Sequence, residues 1–178
     1  LREMNIPVES TTASIQGFGN VAEYAARMYT ELGGKIIAVS CWNQADAKAY
    51  TFKKKSGCDI EQLAGIKDSF GGIDKEKAIE LGYEVLRGEE WIKQDVDILI
   101  PAALENQITP AVFPYISSKV RIICGAANGP TPRDCDALIR ERGITLLTDF
   151  LCNAGAVTCS YFELVQSSIN YFWDLAEV

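Results

Sequence analysis

The chain has 178 residues and a formal net charge of −7, with 24 acidic and 17 basic side chains. That length suits one domain, and the acidic balance argues against a nucleic-acid partner, because neutralising phosphates requires clustered lysines and arginines. The chain contains no histidine, which excludes Ser-His-Asp triads and histidine acid–base catalysis within it and removes the commonest zinc ligand, so we expect no metal site.

The six cysteines show no C-x-x-C spacing, and several lie in apolar runs such as VRIICGAA (120–127). We interpret them as reduced, structural thiols, which indicates a cytoplasmic protein. No apolar run reaches the length of a membrane span and no segment resembles a signal peptide, so we expect no membrane partner.

Strand and helix patterns alternate along the chain, which predicts an α/β fold with a mostly parallel sheet and helices on both faces. TTASIQ (11–16) predicts a first strand that ends at Gly17. The following helix ends at Gly33, and KIIAVS (35–40) predicts a strand buried on both faces. The apolar spacing of the helix predicts one buried stripe, made of Val21, Ala25, Met28 and Leu32.

The rest of the chain continues this alternation. Between 43 and 95 it predicts helices around DIEQLAGI (59–66) and EEWIKQ (89–94), with a short strand near AYTF (49–52). Three further strands are predicted in DVDILIPAAL (95–104), VRIICGAA (120–127) and ITLLTDF (144–150). Helices are predicted in part of TPAVFPYISSK (109–119), in PRDCDALIRERG (132–143) and in AVTCSYFELVQSSINYFWDL (156–175). No linker interrupts the pattern, so residues 1–178 are expected to form a single domain.

The turn that joins the first strand and helix, GFGNVA (17–22), fits the G-x-G-x-x-G/A fingerprint. Gly17 permits the tight turn, Gly19 lets a pyrophosphate approach the backbone, and Ala22 lets the helix pack close to the strand. The free N–H groups and the positive dipole end of the helix then bind the anion. The sequence therefore predicts a Rossmann-like domain that binds NAD or NADP, with an ordinary glycine turn as the alternative.

Cofactor choice is less clearly encoded. About 20 residues after the turn an acid usually holds the ribose 2′-OH of NAD, but Cys41-Trp42-Asn43 occupy that place. No arginine is near to hold the 2′-phosphate of NADP, although Lys53 to Lys55 are candidates. Either Cys41 and Trp42 pack beneath the adenine, or the site discriminates weakly or has decayed. NAD is slightly favoured.

Three later segments follow predicted strands: PAALENQI (101–108), GAANGPT (125–131) and NAGAVTCSYFE (153–163). Ligands of open α/β sheets bind beyond the carboxyl ends of the strands. Taken singly, Asn106, Asn128 and Asn153 suit caps or turns. Taken together, three amides that both donate and accept suit a nicotinamide carboxamide.

The segments IQGFGNV, DVDILIPAALENQIT, ANGPT and NAGAVTCSYFE resemble the cofactor-binding, C-terminal domain of the glutamate/leucine/phenylalanine/valine dehydrogenases, from about Asn5 onward. The resemblance is strongest to the glutamate enzymes and implies reversible NAD(P)-dependent oxidative deamination of L-glutamate to 2-oxoglutarate and ammonium. Together with the fingerprint, it gives a candidate cofactor-binding set: Gly17, Phe18, Gly19, Asn20, Val21, Cys41, Ala102, Ala103, Asn128 and Asn153.

The resemblance also implies that Val157 and Ser160 face the substrate side chain. A serine at the position of Ser160 bonds the substrate γ-carboxylate in the glutamate enzymes, whereas the leucine and phenylalanine enzymes carry an apolar residue there. The alternative is a hydroxyl satisfied within its own helix.

Other residues depart from the family pattern: Cys41, Gly125, Ala126 and Ala156. They motivate one alternative, a dinucleotide-binding regulatory module without catalysis. A parent enzyme specific for leucine, phenylalanine or valine is a second alternative. No motif of the family's substrate domain is found, so we expect no catalytic residue in this chain and an inactive fragment. Its expected partners are a small-molecule substrate and the missing substrate domain of a homo-oligomeric parent.

Overall fold

The computed structural model describes residues 1–178 and contains one seven-stranded sheet. Its strands are β1 Thr12–Gln16, β2 Lys35–Asn43, β3 Lys48–Lys53, β4 Glu84–Arg87, β5 Ile98–Pro101, β6 Ile122–Cys124 and β7 Thr145–Leu147. The helices are α1 Asn20–Glu31, α2 Ile60–Gly65, α3 Lys75–Glu80, α4 Asp136–Glu141, α5 Asp149–Cys152 and α6 Ala154–Ile169. No helix combines the length and apolarity needed to cross a bilayer.

The strand order is β4-β3-β2-β1-β5-β6-β7. Neighbours from β2 through β1, β5 and β6 to β7 are parallel, and β3 and β4 add an antiparallel edge. The mostly parallel Rossmann-like sheet is therefore confirmed. Because parallel strands point the same way, the carboxyl ends of β1, β5 and β6 meet at one edge.

Side chains of the central strands alternate between two cores on opposite faces of the sheet. Along β5, Ile98 and Ile100 join a core of 19 residues beneath α1, whereas Leu99 joins a core of 12 residues that includes Trp91. This alternation is the period of two that a strand covered on both faces requires. The predicted helical layers on both faces are confirmed.

Helix α1 forms as predicted, but its predicted buried stripe is wrong. The large side chains of that stripe are 50 to 65% exposed: Val21, Met28 and Leu32. The helix instead buries Ala22 and Ala26, because its close approach to the sheet leaves room only for small side chains at these positions, and it also buries Glu23. The carboxylate of Glu23 is paired with Arg27 and Lys67.

Residues 43–95 contain more structure than the sequence predicted. Strand β2 continues to Asn43 and turns back into β3, while α3 and β4 were not predicted. The segment around EEWIKQ is a short 3-10 helix, 90–93. The final helix ends at Ile169, earlier than predicted, because Asn170 adopts a left-handed conformation with φ 52°.

Asp97 ties together the amino ends of the central strands. It is 5% exposed, and its carboxylate accepts hydrogen bonds from the Thr12 backbone N–H (2.9 Å), the Thr12 hydroxyl (2.8 Å) and the Arg121 guanidinium (2.8 Å). Burial alone would raise the pKa of Asp97, but these bonds and the charge of Lys119 outweigh burial and hold the pKa below its usual value.

We expect Asp97→Asn to lower the free energy of unfolding at pH 7 by about 2 kcal/mol, since it weakens charge-assisted bonds in a buried site. The lowered pKa makes this stabilisation complete above the unfolded value of about 3.9, and it is lost as the pH falls through the folded pKa. Urea unfolding at pH 7 and at pH 3 should show the difference from the native protein shrinking in acid. The exposed Asp95→Asn is the control, and an equal effect from it would contradict the assignment.

Candidate functional site

The glycine-rich turn is held by backbone contacts with its neighbours. Gly17 has φ +94°, and a Cβ there would lie 3.0 Å from the carbonyl oxygen of Ala102, just beyond β5. Its N–H donates to the carbonyl of Ser40 on β2 (2.6 Å). Glycine is therefore required at this position by both the conformation and the close approach.

Gly19 is different, because a Cβ there would meet no atom within 4 Å. It caps the start of α1, and no side chain caps the helix, so the N–H groups of the first turn remain available to a ligand. An open glycine before a free helix N-terminus is the arrangement that admits a pyrophosphate.

A cleft of about 510 Å³ opens beside this turn at the carboxyl edge of the sheet. It brings together six of the predicted site residues: Val21, Ala102, Ala103, Asn128, Asn153 and Val157. The remaining lining residues were not assigned a site role: Leu104, Glu105, Ala126, Ala127 and Ala156. All five lie in the segments 101–108, 125–131 and 153–163 that follow predicted strands, and this position could have identified them from the sequence.

Two of the three candidate amides meet in this cleft. The Asn153 side chain donates to the side-chain oxygen of Asn128 (2.7 Å) and lies 3.4 Å from the carbonyl of Ala127. Asn106 instead adopts a left-handed conformation with φ 53°, and its backbone N–H donates to the carbonyl of Gly129, so it has the turn-forming role that was its alternative interpretation. The cleft therefore offers a pair of amides at one end and the start of α1 at the other.

Two predicted cofactor residues turn their side chains away from the cleft. Phe18 is 1% exposed and Cys41 is 6% exposed, and both pack in the core beneath α1. The Cys41 sulfur accepts a hydrogen bond from the Ile73 N–H (3.4 Å), and burial raises its pKa to about 11. The loop at 66–74 covers Cys41, and its Gly71 lies against the turn, so only the backbone of these two residues is available to a ligand.

The lysine run does not reach the carboxyl edge. Lys53 stands opposite Ala38 in the sheet, and the Lys54 ammonium donates to the carbonyl of Leu81 (3.0 Å). Closer to the end of β2, Lys67 is paired with Glu23. Lys75 there is paired with Asp46. The suggestion that Lys53 to Lys55 could hold a 2′-phosphate is therefore wrong.

Ser160 lies on α6 one turn beyond the cleft residue Ala156. Its hydroxyl donates to the carbonyl of Ala156 (3.0 Å) and is exposed. In this structure the hydroxyl is therefore satisfied within its own helix, as the alternative interpretation expected.

We expect Gly17→Ala to destabilise the fold by roughly 1–2 kcal/mol, because an L side chain at positive φ is strained and its Cβ meets Ala102. Gly19→Ala is the matched control two residues away, where the added methyl meets nothing. Thermal unfolding of both variants measures the difference. Equal losses of stability would show that the turn is not constrained as described.

Comparisons with known proteins place the chain beside amino-acid dehydrogenases. The model of the glutamate/leucine/phenylalanine/valine dehydrogenase family matches residues 1–178. The NAD-specific glutamate dehydrogenase of Clostridioides difficile is 37% identical over 176 residues, which are 99% of this chain and 40% of that protein. The chain thus spans about two fifths of the length of such relatives.

Solved structures agree with the fold. The crystal structure of glutamate dehydrogenase from Peptoniphilus asaccharolyticus matches with a TM-score of 0.71 and 32% identity, over 99% of this chain and 38% of that one. Plasmodium falciparum glutamate dehydrogenase gives a TM-score of 0.83 at 24% identity, over 98% of this chain and 37% of that one, which shows the likeness of the fold.

Proposed function

Because the chain belongs to the glutamate/leucine/phenylalanine/valine dehydrogenase family, we propose that it is the cofactor-binding domain of an NAD-dependent glutamate dehydrogenase. The parent enzyme converts L-glutamate, water and NAD to 2-oxoglutarate, ammonium, NADH and a proton. The observation that carries this proposal is the single cleft that joins the open start of α1 to the Asn128–Asn153 pair.

Each part of the cleft has a task in this proposal. The exposed N–H groups after Gly19 bind the pyrophosphate, helped by the dipole of the 12-residue helix α1. Ala102 and Ala103 form an apolar wall on the adenosine side. The amides of Asn128 and Asn153 orient the carboxamide of the nicotinamide, whose ring accepts the hydride when the cofactor is bound.

NAD rather than NADP is the proposed cofactor. Relatives from Clostridioides difficile and Staphylococcus aureus, 37 and 38% identical to this chain, are named NAD-specific. The structure supports this choice, because the run at Lys53 lies away from the carboxyl edge and Lys67 and Lys75 are already paired with acids. A 2′-phosphate would therefore have to break an existing ion pair to gain either of these two lysines.

The proposal assigns this chain to binding and orientation, and assigns acid–base chemistry to the part of the enzyme outside it. The surface of α6 supports this division, because that helix buries no residue. Its apolar side chains Val157, Tyr161 and Leu164 are 64 to 71% exposed, Val157 lines the cleft, and this surface suits contact with a substrate domain. Closure of the two domains would exclude water from the hydride transfer. A cytoplasmic parent is proposed because all six cysteines are free.

The direct test is calorimetric titration of the protein with NAD and with NADP, together with Gly19→Val. We expect NAD to bind more tightly than NADP, and Gly19→Val to abolish binding because the new side chain fills the space left for the pyrophosphate. Circular dichroism should show an unchanged fold, since the side chain meets no neighbour.

Gly65→Val is the matched control, because Gly65 also lies in open space but stands at the end of α2 and is not part of the glycine-rich turn. Retained NAD affinity in Gly19→Val, or equal loss in Gly65→Val, would show that the turn is not the site.

In the full-length parent, we expect Ser160→Ala to lower the preference for glutamate over an apolar amino acid. The reason is that the hydroxyl would leave Ala156 to bond the substrate γ-carboxylate. The measured quantity is the ratio of kcat/KM for glutamate and for leucine. Ser168→Ala is the matched control, since its hydroxyl makes the same bond to the carbonyl four residues earlier on α6. An unchanged ratio in Ser160→Ala would assign the hydroxyl to the helix alone.

A further inference from the structure

Two thiols face each other behind the amide pair. Cys124 is the last residue of β6 and Cys152 is the last residue of α5, and their sulfur atoms are 3.4 Å apart. A disulfide has about 2.05 Å between its sulfurs, so closing this pair requires movement of roughly 1.4 Å. Both residues are partly buried, and no other cysteine pair is in contact.

The backbone already holds the two segments together. The N–H of Gly125, which follows Cys124, donates to the carbonyl of Leu147 (3.0 Å). A Cβ on Gly125 would lie 3.2 Å from the backbone nitrogen of Asp149, the first residue of α5. The thiols therefore face each other across a fixed contact, which favours a bond between them over bonds to distant thiols.

The same two segments carry the amide pair of the cleft. Cys152 directly precedes Asn153, and Asn128 follows Cys124 by four residues. The Asn153 side chain reaches Asn128 and the carbonyl of Ala127 from the start of α6. Drawing α5 toward β6 would move Asn153 relative to Asn128.

We propose that Cys124 and Cys152 form a reversible disulfide on exposure to hydrogen peroxide, and that this bond weakens cofactor binding in the adjoining cleft. The first part stands on the thiol geometry alone. The second part rests on the proposed function, because it assigns the Asn128–Asn153 pair to the nicotinamide.

The chemistry needs only the peroxide. The Cys152 thiolate attacks one peroxide oxygen, the O–O bond breaks, and hydroxide leaves, which gives a sulfenic acid. The Cys124 sulfur then attacks that sulfenic sulfur; its proton and the displaced hydroxide leave as water. Two thiols and one peroxide thus give one disulfide and two waters. Burial raises the pKa of the Cys124 thiol to about 12, so Cys124 takes the resolving step.

Mass spectrometry tests the bond without reference to any cofactor. The protein is treated with hydrogen peroxide, its remaining thiols are alkylated, and it is digested without reductant. We expect a peptide pair that joins Cys124 to Cys152, two hydrogens lighter than the separate thiols and released by dithiothreitol. Oxidation confined to single thiols, or cross-links through the exposed Cys159, would overturn the proposal.

Calorimetric titration with NAD tests the consequence. We expect the oxidised protein to bind NAD about tenfold more weakly than the reduced protein, because moving Asn153 relative to Asn128 would cost about one hydrogen bond to the carboxamide, which corresponds to roughly that factor in affinity. Cys152→Ala should keep its affinity after peroxide treatment, and Cys159→Ala should lose affinity as the native protein does.

Equal affinities of the oxidised and reduced protein would overturn the effect on the cleft while leaving the disulfide established. Absence of NAD binding by the reduced protein would overturn both the proposed function and that effect. The cross-linked peptide would still decide the first part.

Discussion

The structure depends on direct backbone contact at the turn between β1 and α1. A Cβ added to Gly17 would lie 3.0 Å from the carbonyl oxygen of Ala102. A Cβ added to Gly71 would lie 3.0 Å from the carbonyl oxygen of Phe18. Three chain segments therefore meet with no side chain between them. Because backbone groups form this surface, their positions are set by the sheet rather than by rotamers, and the donors at the start of α1 are fixed before any ligand arrives.

The amino and carboxyl edges of the sheet, where the parallel strands begin and end, have different roles. At the amino edge, the buried carboxylate of Asp97 accepts hydrogen bonds from the Thr12 N–H of β1 and from the Arg121 guanidinium, and these bonds stabilise the fold. At the carboxyl edge the start of α1 stays uncapped, and five of the eleven residues that line the cleft are alanines. The fold tolerates free N–H donors at the carboxyl edge because hydrogen bonds at the amino edge hold its strands together. Such local departures from full satisfaction are typical of binding sites.

The sequence predicted the features that depend on local patterns. The five parallel strands, the turn and the meeting of Asn128 with Asn153 at one edge follow from apolar runs and from parallel topology. The buried face of α1 was mispredicted because alanines make the contact, and alanine gives only a weak periodic signal. The burial of Cys41 depends on the distant loop at 66–74, and the approach of Cys124 to Cys152 depends on a helix of four residues, too short to show a period.

The contact of Gly71 with the glycine-rich turn also limits how this protein can diverge. The loop at 66–74 is exposed only at 68–70, and surface loops ordinarily tolerate insertions. In this loop Gly71 adopts φ +84°, and a Cβ added to it would lie 3.1 Å from the backbone nitrogen of Gly19. A new side chain or an altered loop length at this point would press on the glycine-rich turn, so variation in the two segments must be coordinated although some fifty residues separate them along the chain.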